Sequence, residues 1–316
     1  MTLSIDPQVG AAMQKLAEAM GKPPRPPLGD WRSRRLSVEV SFAAFARLQP
    51  TITDVSTRDF SVRSYDGAEV RLRWFQKSAT QPGSAVLYVH GGGMIGGSVE
   101  IYDAVLKRLV SMSGVPFLAV DYRLAPEHAN PTPVEDCYAG LQWLAENAEE
   151  FGIDPSRIAI MGDSAGGGHA AATALVARDR RGPALAKQVL IYPMLDDRNS
   201  KASPQLLPFA TWTWDDNITG WGALLGTQAG TDGAHEYAVA SRARDLSRLP
   251  ATYIEVGQLD IFCDEVVAYA HRLLRADVQT ELLVIPGVPH GFELFAPDAE
   301  VSRRAMANRL RALKSF

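Results

Sequence analysis

The spacing of apolar residues along this 316-residue chain changes character twice. Val9, Met13, Leu16 and Met20 fall on one helical face, and Asp6 followed by Pro7 supplies an N-cap and a first helical position. The stretch KPPRPPLGD, residues 22 to 30, cannot continue that helix, and a second amphipathic pattern runs through Leu36, Val40, Phe42 and Phe45. After a turn at Asp66-Gly67, Val70, Leu72 and Trp74 alternate with Arg71 and Arg73. That alternation predicts a half-exposed hairpin strand and an antiparallel start to a sheet.

From about residue 85 the rhythm becomes strand then helix. AVLYVH precedes a helix from Ser98 to Met112, PFLAVDY a helix from Val134 to Asn147, and RIAIMG a helix of small residues. QVLIYP, ATYIEV with a helix from about Asp264 to Leu274, TELLVIP and a last helix reaching Leu313 complete the series. Continuous apolar strands between helices predict a mostly parallel α/β sheet covered on both faces. Residues 197 to 248 break the rhythm and carry Phe209, Trp212, Trp214 and Trp221; a connection of that length inside a compact domain points to a lid.

Composition narrows the partners. A net charge of −4 and the absence of a dense Lys/Arg cluster argue against nucleic acid, leaving small neutral molecules. Cys137 and Cys263 are too few for a disulfide framework and read as free thiols in a reducing cytoplasm. The N-terminus lacks a charged region followed by an apolar core, and no stretch approaches the roughly 18 apolar residues of a membrane span.

In such a sheet ligands sit beyond the carboxyl ends of the strands, so the residues just after each strand carry the chemistry. RIAIM ends at Gly162-Asp163-Ser164-Ala165-Gly166. A strand that reverses into a helix at one residue strains the apex, and its neighbours at minus two and plus two must lack side chains; Gly162 and Gly166 meet that need. A serine hydroxyl is a poor nucleophile until a base takes its proton and a carboxylate fixes that base. Of the six histidines, His290 follows the last strand in a Pro/Gly-rich loop and is the candidate base; His169, on the helix after the serine, is the strongest competitor. Asp196, Asp197, Asp260 and Asp264 all follow strands, and Asp260 follows its strand directly, whereas Asp264 and Glu265 read as first-turn helix acids. For a developing oxyanion, Gly91 and Gly92 after AVLYVH and Ala165 at the helix start offer backbone N–H groups. This chemistry calls for no cofactor and no metal.

HGGG at 90 to 93, DYRLAPEH at 121 to 128, GDSAGG at 162 to 167, GQLDIFCDE at 257 to 265 and VPHGF at 288 to 292 together resemble the bacterial hormone-sensitive-lipase-like esterases. The resemblance implies an α/β-hydrolase fold with a helical cap. It places the catalytic domain at 49–196 and 241–316 and the cap at 1–48 and 197–240. It implies Ser164, Asp260 and His290 as triad, Gly91, Gly92 and Ala165 as oxyanion hole, and Asp121, Arg123 and Glu127 as braces for the surrounding loops. The chain departs from the family at Gly168-His169, at Ile261 after the acid, and at Met94 after HGGG. Met94, Phe209, Trp212 and Trp214 are expected to shape the substrate pocket. The reading is a serine carboxylesterase acting on short to medium acyl chains, with dimerisation through the last strand and its neighbouring helix. An amidase or lactonase using the same residues, and a non-catalytic small-molecule receptor, are the alternatives; an intact His290 argues against the last.

Overall fold

The computed structural model describes residues 3–21, 25–78 and 83–316. The Val- and Ile-rich runs pair as one sheet of eight strands, β1 (Val55–Arg63), β2 (Glu69–Lys77), β3 (Gly83–Val89), β4 (Phe117–Val120), β5 (Ile153–Asp163), β6 (Lys187–Ile191), β7 (Ala251–Gly257) and β8 (Thr280–Ile285). Their order is β1-β2-β4-β3-β5-β6-β7-β8, with β2 antiparallel to β1 and β4 on either side of it and β3 to β8 parallel. The antiparallel opening read from the sequence is therefore present. On β2, Val70, Leu72 and Trp74 are buried, while Arg71 and Arg73 reach across to Asp59 of β1, each at 2.7 Å. β1 itself, mostly exposed, carries too little apolar alternation to announce itself.

Helices α3 (Asp103–Ser113), α4 (Thr132–Glu146), α5 (Ala165–Asp179), α7 (Cys263–Arg275) and α9 (Glu300–Leu313) join or follow the strands where the pattern places them. One start differs. α3 begins at Asp103 rather than Ser98, because Gly97 at φ +94° turns the chain and the Val99 N–H is taken by Asp121 at 3.1 Å. Among the described residues no helix is long and apolar enough to cross a membrane.

The two N-terminal helices and the long connection gather beside the strand ends. α1 (Pro7–Met20) starts where Asp6 accepts the Gln8 and Val9 N–H groups at 2.9 and 3.1 Å. Its Val9 is wholly buried against Val288, Phe292 and Phe295, the last two on the short α8 (Phe292–Phe295). α2 (Trp31–Ala46) packs on α6 (Trp214–Leu225), whose start is closed by a reciprocal Thr213–Asp216 capping box. Arg34 of α2, 2% exposed, ties the two helices by an ion pair to Asp216 at 2.8 Å and donates to the carbonyls of Pro26 and Pro27.

Under the sheet's C-terminal edge lies a buried charge cluster. Arg309 of α9, 4% exposed, meets Glu255 of β7 at 2.6 Å and Glu293 of α8 at 2.7 Å. Tyr192, just past β6, donates to Glu293 at 2.5 Å, and Tyr253 donates to Glu255. Such a cluster tolerates removal of all its charges better than removal of one. Arg309→Met strands two carboxylates in the interior and is expected to cost about 3–5 kcal/mol in a urea titration; a loss below about 1 kcal/mol would mean the cluster is solvated.

Candidate active site

The site begins with a steric problem at the end of β5. Ser164 sits at φ 55°, ψ −123°, a conformation that costs an ordinary residue on the order of 1–3 kcal/mol. It persists because strand and helix are pressed together. A Cβ on Gly162 would lie 2.2 Å from the Gly166 carbonyl oxygen, and one on Gly166 would lie 2.1 Å from that of Val89. The Ser164 N–H donates to Ile191 at 2.9 Å, and its carbonyl accepts from Gly168 at 3.1 Å and Met194 at 2.8 Å.

His290 and Asp260 meet this serine from the ends of β8 and β7. His290 Nε2 is 2.9 Å from Ser164 Oγ, and its Nδ1 is 2.7 Å from Asp260 Oδ2. Asp260 Oδ1 accepts the Phe262 N–H at 3.0 Å, which leaves Oδ2 for the ring. The two loops are bonded to each other, Leu259 N–H to the Val288 carbonyl at 3.1 Å and Gln258 N–H to that of Ile285 at 2.8 Å. The ring edge packs on Tyr192 and Phe262 at centroid distances of 4.6 and 5.1 Å. The competing acids are engaged elsewhere or turned out: Asp196 holds Arg198, Asp197 holds Arg242, and Asp264 is exposed. Glu265 lies in the first turn of α7 as read from the sequence, and is buried, accepting the Leu195 N–H at 2.7 Å and an Asn199 amide at 2.8 Å. His169 is wholly buried with its ring against Tyr122, and no polar partner among the described residues.

The glycine loop after β3 requires a correction. Gly91 does not face the nucleophile as a donor, because its N–H is given to the Tyr102 hydroxyl at 3.1 Å. Tyr102 in turn donates to Asp163 at 2.6 Å, and Tyr88 donates to the same carboxylate. The next two glycines open toward the serine instead, at φ +129° for Gly92 and +62° for Gly93. Among the described residues no acceptor takes the N–H of Gly92, Gly93 or Ala165.

Ser164, His290, Gly92 and Gly93 border a cavity of about 520 Å³. Trp212 lines it, its indole lying over Gly93 so closely that a Cβ there would come within 2.2 Å. The other expected pocket residues do not line it. Met94 is wholly buried in the core with its sulfur arm toward Gly168. Trp214 is buried and donates to Asn199 at 2.9 Å, and Phe209 lies outside the lining. The apolar wall comes from Phe42 and Phe45 of α2, Phe295 of α8 and Tyr192. Tyr192 follows β6 directly and was findable by the strand-end rule; Phe42 and Phe45 carried only the signal of an amphipathic helix needing a surface.

A family described as alpha/beta hydrolase fold matches residues 86–294. A carboxylesterase of Mycobacterium tuberculosis, NlhH, is 36% identical over 238 residues, 72% of either chain. An ethyl acetate hydrolase of Pseudomonas putida is 35% identical over 254 residues, 74% of either chain. Among solved structures, a bacterial heroin esterase superposes with a TM-score of 0.88 at 36% identity, covering 98% of this chain and 97% of the other. The chain belongs to the α/β-hydrolase fold family. The family expected from the sequence, the hormone-sensitive-lipase-like α/β-hydrolases, is supported by this match and by the carboxylesterase relatives.

Electrostatics in this hydrolase raise the basicity of His290. Burial pushes the His290 imidazolium down, but the charge and hydrogen bond of Asp260, with Asp163 and Glu293 behind, outweigh it, so its pKa stands above the ordinary imidazole value. His169 is driven the other way, to about 3, by burial and then by nearby His90. Burial also lifts the Asp163 carboxyl to about 6 against the hydroxyls of Tyr102 and Tyr88. A base must be neutral to take a proton, so kcat/KM is expected to fall as pH drops through an inflection above about 6.5. Asp260→Asn removes the charge that raises it; the inflection should move down while kcat drops by up to about 10⁴. Asp264→Asn should move neither, and the opposite ranking of the two variants would reassign the acid.

Proposed function

We propose that this hydrolase is a carboxylesterase with Ser164 as nucleophile, His290 as general base and acid, and Asp260 as the group that orients and charges the histidine. The observation that carries the reading is the unbroken line of hydrogen bonds Asp260, His290, Ser164 opening onto an apolar cavity. His290 removes the Oγ proton as Ser164 attacks the ester carbonyl. The N–H groups of Gly92, Gly93 and Ala165 receive the oxyanion, a trio that replaces Gly91 by Gly93 in the sequence-based set. His290 then protonates the leaving alcohol, and water repeats the cycle on the acyl-enzyme.

The substrate class follows from the cavity. We read residues 1–48 and 197–240 as a cap over the catalytic domain, since α1, α2 and Ala210–Asp216 contribute to the same cavity as the serine. A pocket of about 520 Å³ walled by Phe42, Phe45, Trp212 and Phe295 suits short and medium acyl chains. The ethyl acetate named in one relative fits that range. Two free thiols, Cys137 buried and Cys263 half-buried, favour the cytoplasm as its compartment. We further propose a homodimer through β8, the sheet's edge strand, and α7, where Val284, Val267 and Leu274 are exposed.

The test is a series of nitrophenyl esters of rising acyl length on the purified protein. Each buried methylene adds about 0.8 kcal/mol until the pocket is full, so rates are expected to peak at about two to eight carbons and then fall. Ser164→Ala should lose about 10⁶-fold in kcat with the fold intact. Rates still rising at about sixteen carbons with activation at an oil surface would make the enzyme a lipase, and a Ser164→Ala protein within about tenfold of the parent would dismiss the nucleophile. For the dimer, sedimentation equilibrium should give twice the chain mass, reduced to one chain by Val284→Lys; a monomer at every concentration refutes it.

A further inference from the structure

The loop that carries Gly92 and Gly93 belongs to no helix or strand, and its backbone is left-handed at Gly92, Gly93, Met94 and Gly97, with φ of 129°, 62°, 69° and 94°. No ladder of sheet hydrogen bonds holds such a shape, so its geometry has to be imposed by what surrounds it. Within the loop, Ile95 and Gly96 donate to the Gly92 carbonyl at 3.3 and 2.9 Å, closing a tight turn. The Ala125 N–H donates to the Met94 carbonyl at 3.1 Å, so the loop around Ala125 backs the turn.

One side chain of the cap spans both. Arg35 of α2 donates through Nε to the Ile95 carbonyl and through Nη2 to the Ala125 carbonyl at 3.0 Å. The rest of its planar fork is bidentate on Glu127, at 2.9 and 2.7 Å. From the other side α6 brings Gly220 against the loop, where a Cβ would stand 2.4 Å from the Gly93 carbonyl, and Trp212 covers the Gly93 Cα. The turn is thus gripped between two cap segments, with Arg35 as the polar grip. Glu127 is the residue that holds the guanidinium in the plane needed to reach both carbonyls. Nothing in the serine chemistry requires an arginine at this place.

We propose that Arg35 is a positioning residue that locks the Gly92–Gly93 turn in the shape where its N–H groups meet the oxyanion, so that docking of the cap and assembly of the oxyanion hole are one event. The proposal rests on Gly92 and Gly93 being the donors, as assigned above. Its consequence is that a cap displaced to admit substrate leaves the hole loose, and closure rebuilds it around the bound ester. Binding of the ground-state ester uses the apolar wall, whereas the transition state uses the donors, so the two can be read apart.

Removing a whole oxyanion donor costs about 10²–10³ in kcat, and a displacement near 1 Å can cost about 10². Arg35→Met, which keeps the apolar stem and loses every donor, is therefore expected to lower kcat on a short nitrophenyl ester by about 10- to 10²-fold. Affinity for a trifluoromethyl ketone, which forms an oxyanion on the serine, should fall by the same factor, with KM and the pH inflection unmoved because His290 is untouched. Arg35→Lys, able to hold one carbonyl, should recover part of both losses, and Glu127→Gln should lose less than Arg35→Met. Variants are compared at matched folded fraction by thermal melting; if Arg35→Met does not fold, Arg35→Lys against the parent carries the same comparison. An effect confined to KM, or kcat and ketone affinity within about threefold of the parent, overturns the proposal. Failure of the parent to hydrolyse any ester sinks the esterase reading instead, and calorimetric binding of the ketone still reports on Arg35.

Discussion

The site depends on the contact between the end of β5 and the start of α5, which come within van der Waals range only because Gly162 and Gly166 lack side chains. That contact forces Ser164 into positive φ and lifts its hydroxyl out of the strand end toward the cavity. Strain of this kind survives only where the surroundings over-determine it. Here the peptide groups on both sides of the serine are tied to β6 and the loop after it, through Ile191 and Met194. The same geometry places the Ala165 N–H at the positive end of a helix of fifteen residues, beside the nucleophile. Position, exposure and one of the proposed oxyanion donors thus come from a single backbone constraint.

The base is held by a different kind of interaction. His290 lies in a loop whose shape comes from its neighbours: Val288 under Val9 of α1, the Gly287 carbonyl accepting the Asp6 N–H at 2.7 Å, and the His290 carbonyl accepting the Thr211 hydroxyl at 2.7 Å. Tyr192, which packs on the ring, is itself fixed by Glu293 in the Arg309 cluster. The nucleophile therefore rests on close backbone packing and the base on buried charge and apolar cover. α1 does more than roof the pocket, since its first turn braces the loop that presents the histidine.

What was legible in the sequence follows this division. Strands buried on both faces show as continuous apolar runs, so β3 to β7 and the helices between them stood out, and residues at their ends could be inspected directly. The elbow was legible because its steric demand is written as glycines at fixed offsets. β1 was not, because an exposed edge strand needs no apolar pattern. The pocket wall was misjudged at Met94, Phe209 and Trp214 because aromatic and sulfur side chains signal burial, and burial in the core and burial at a cavity look alike along a chain. Gly91 was misplaced for a related reason. Three successive glycines all permit an inward N–H, and the one that turns away is settled by Tyr102, eleven residues on, whose hydroxyl accepts that N–H while donating to Asp163.

That tyrosine also holds one end of the proposed oxyanion loop. Met94 is anchored through its carbonyl to Ala125, and Gly91 through Tyr102 to Asp163, the residue preceding the serine. Gly92 and Gly93, the proposed donors, lie between those two anchors. The turn is also fastened by Arg35 and covered by Trp212 and Gly220, all from the segments read as cap. In this architecture the cavity wall and the electrostatic part of the catalytic machinery share the same supports, so a change that reshapes the acyl pocket through α2 or α6 also reaches the donors. On the proposal that Arg35 locks the donors, selectivity and turnover are mechanically linked, while Ser164, anchored in β5 and β6, stands apart from both and His290 divides its support between the Arg309 cluster and α1.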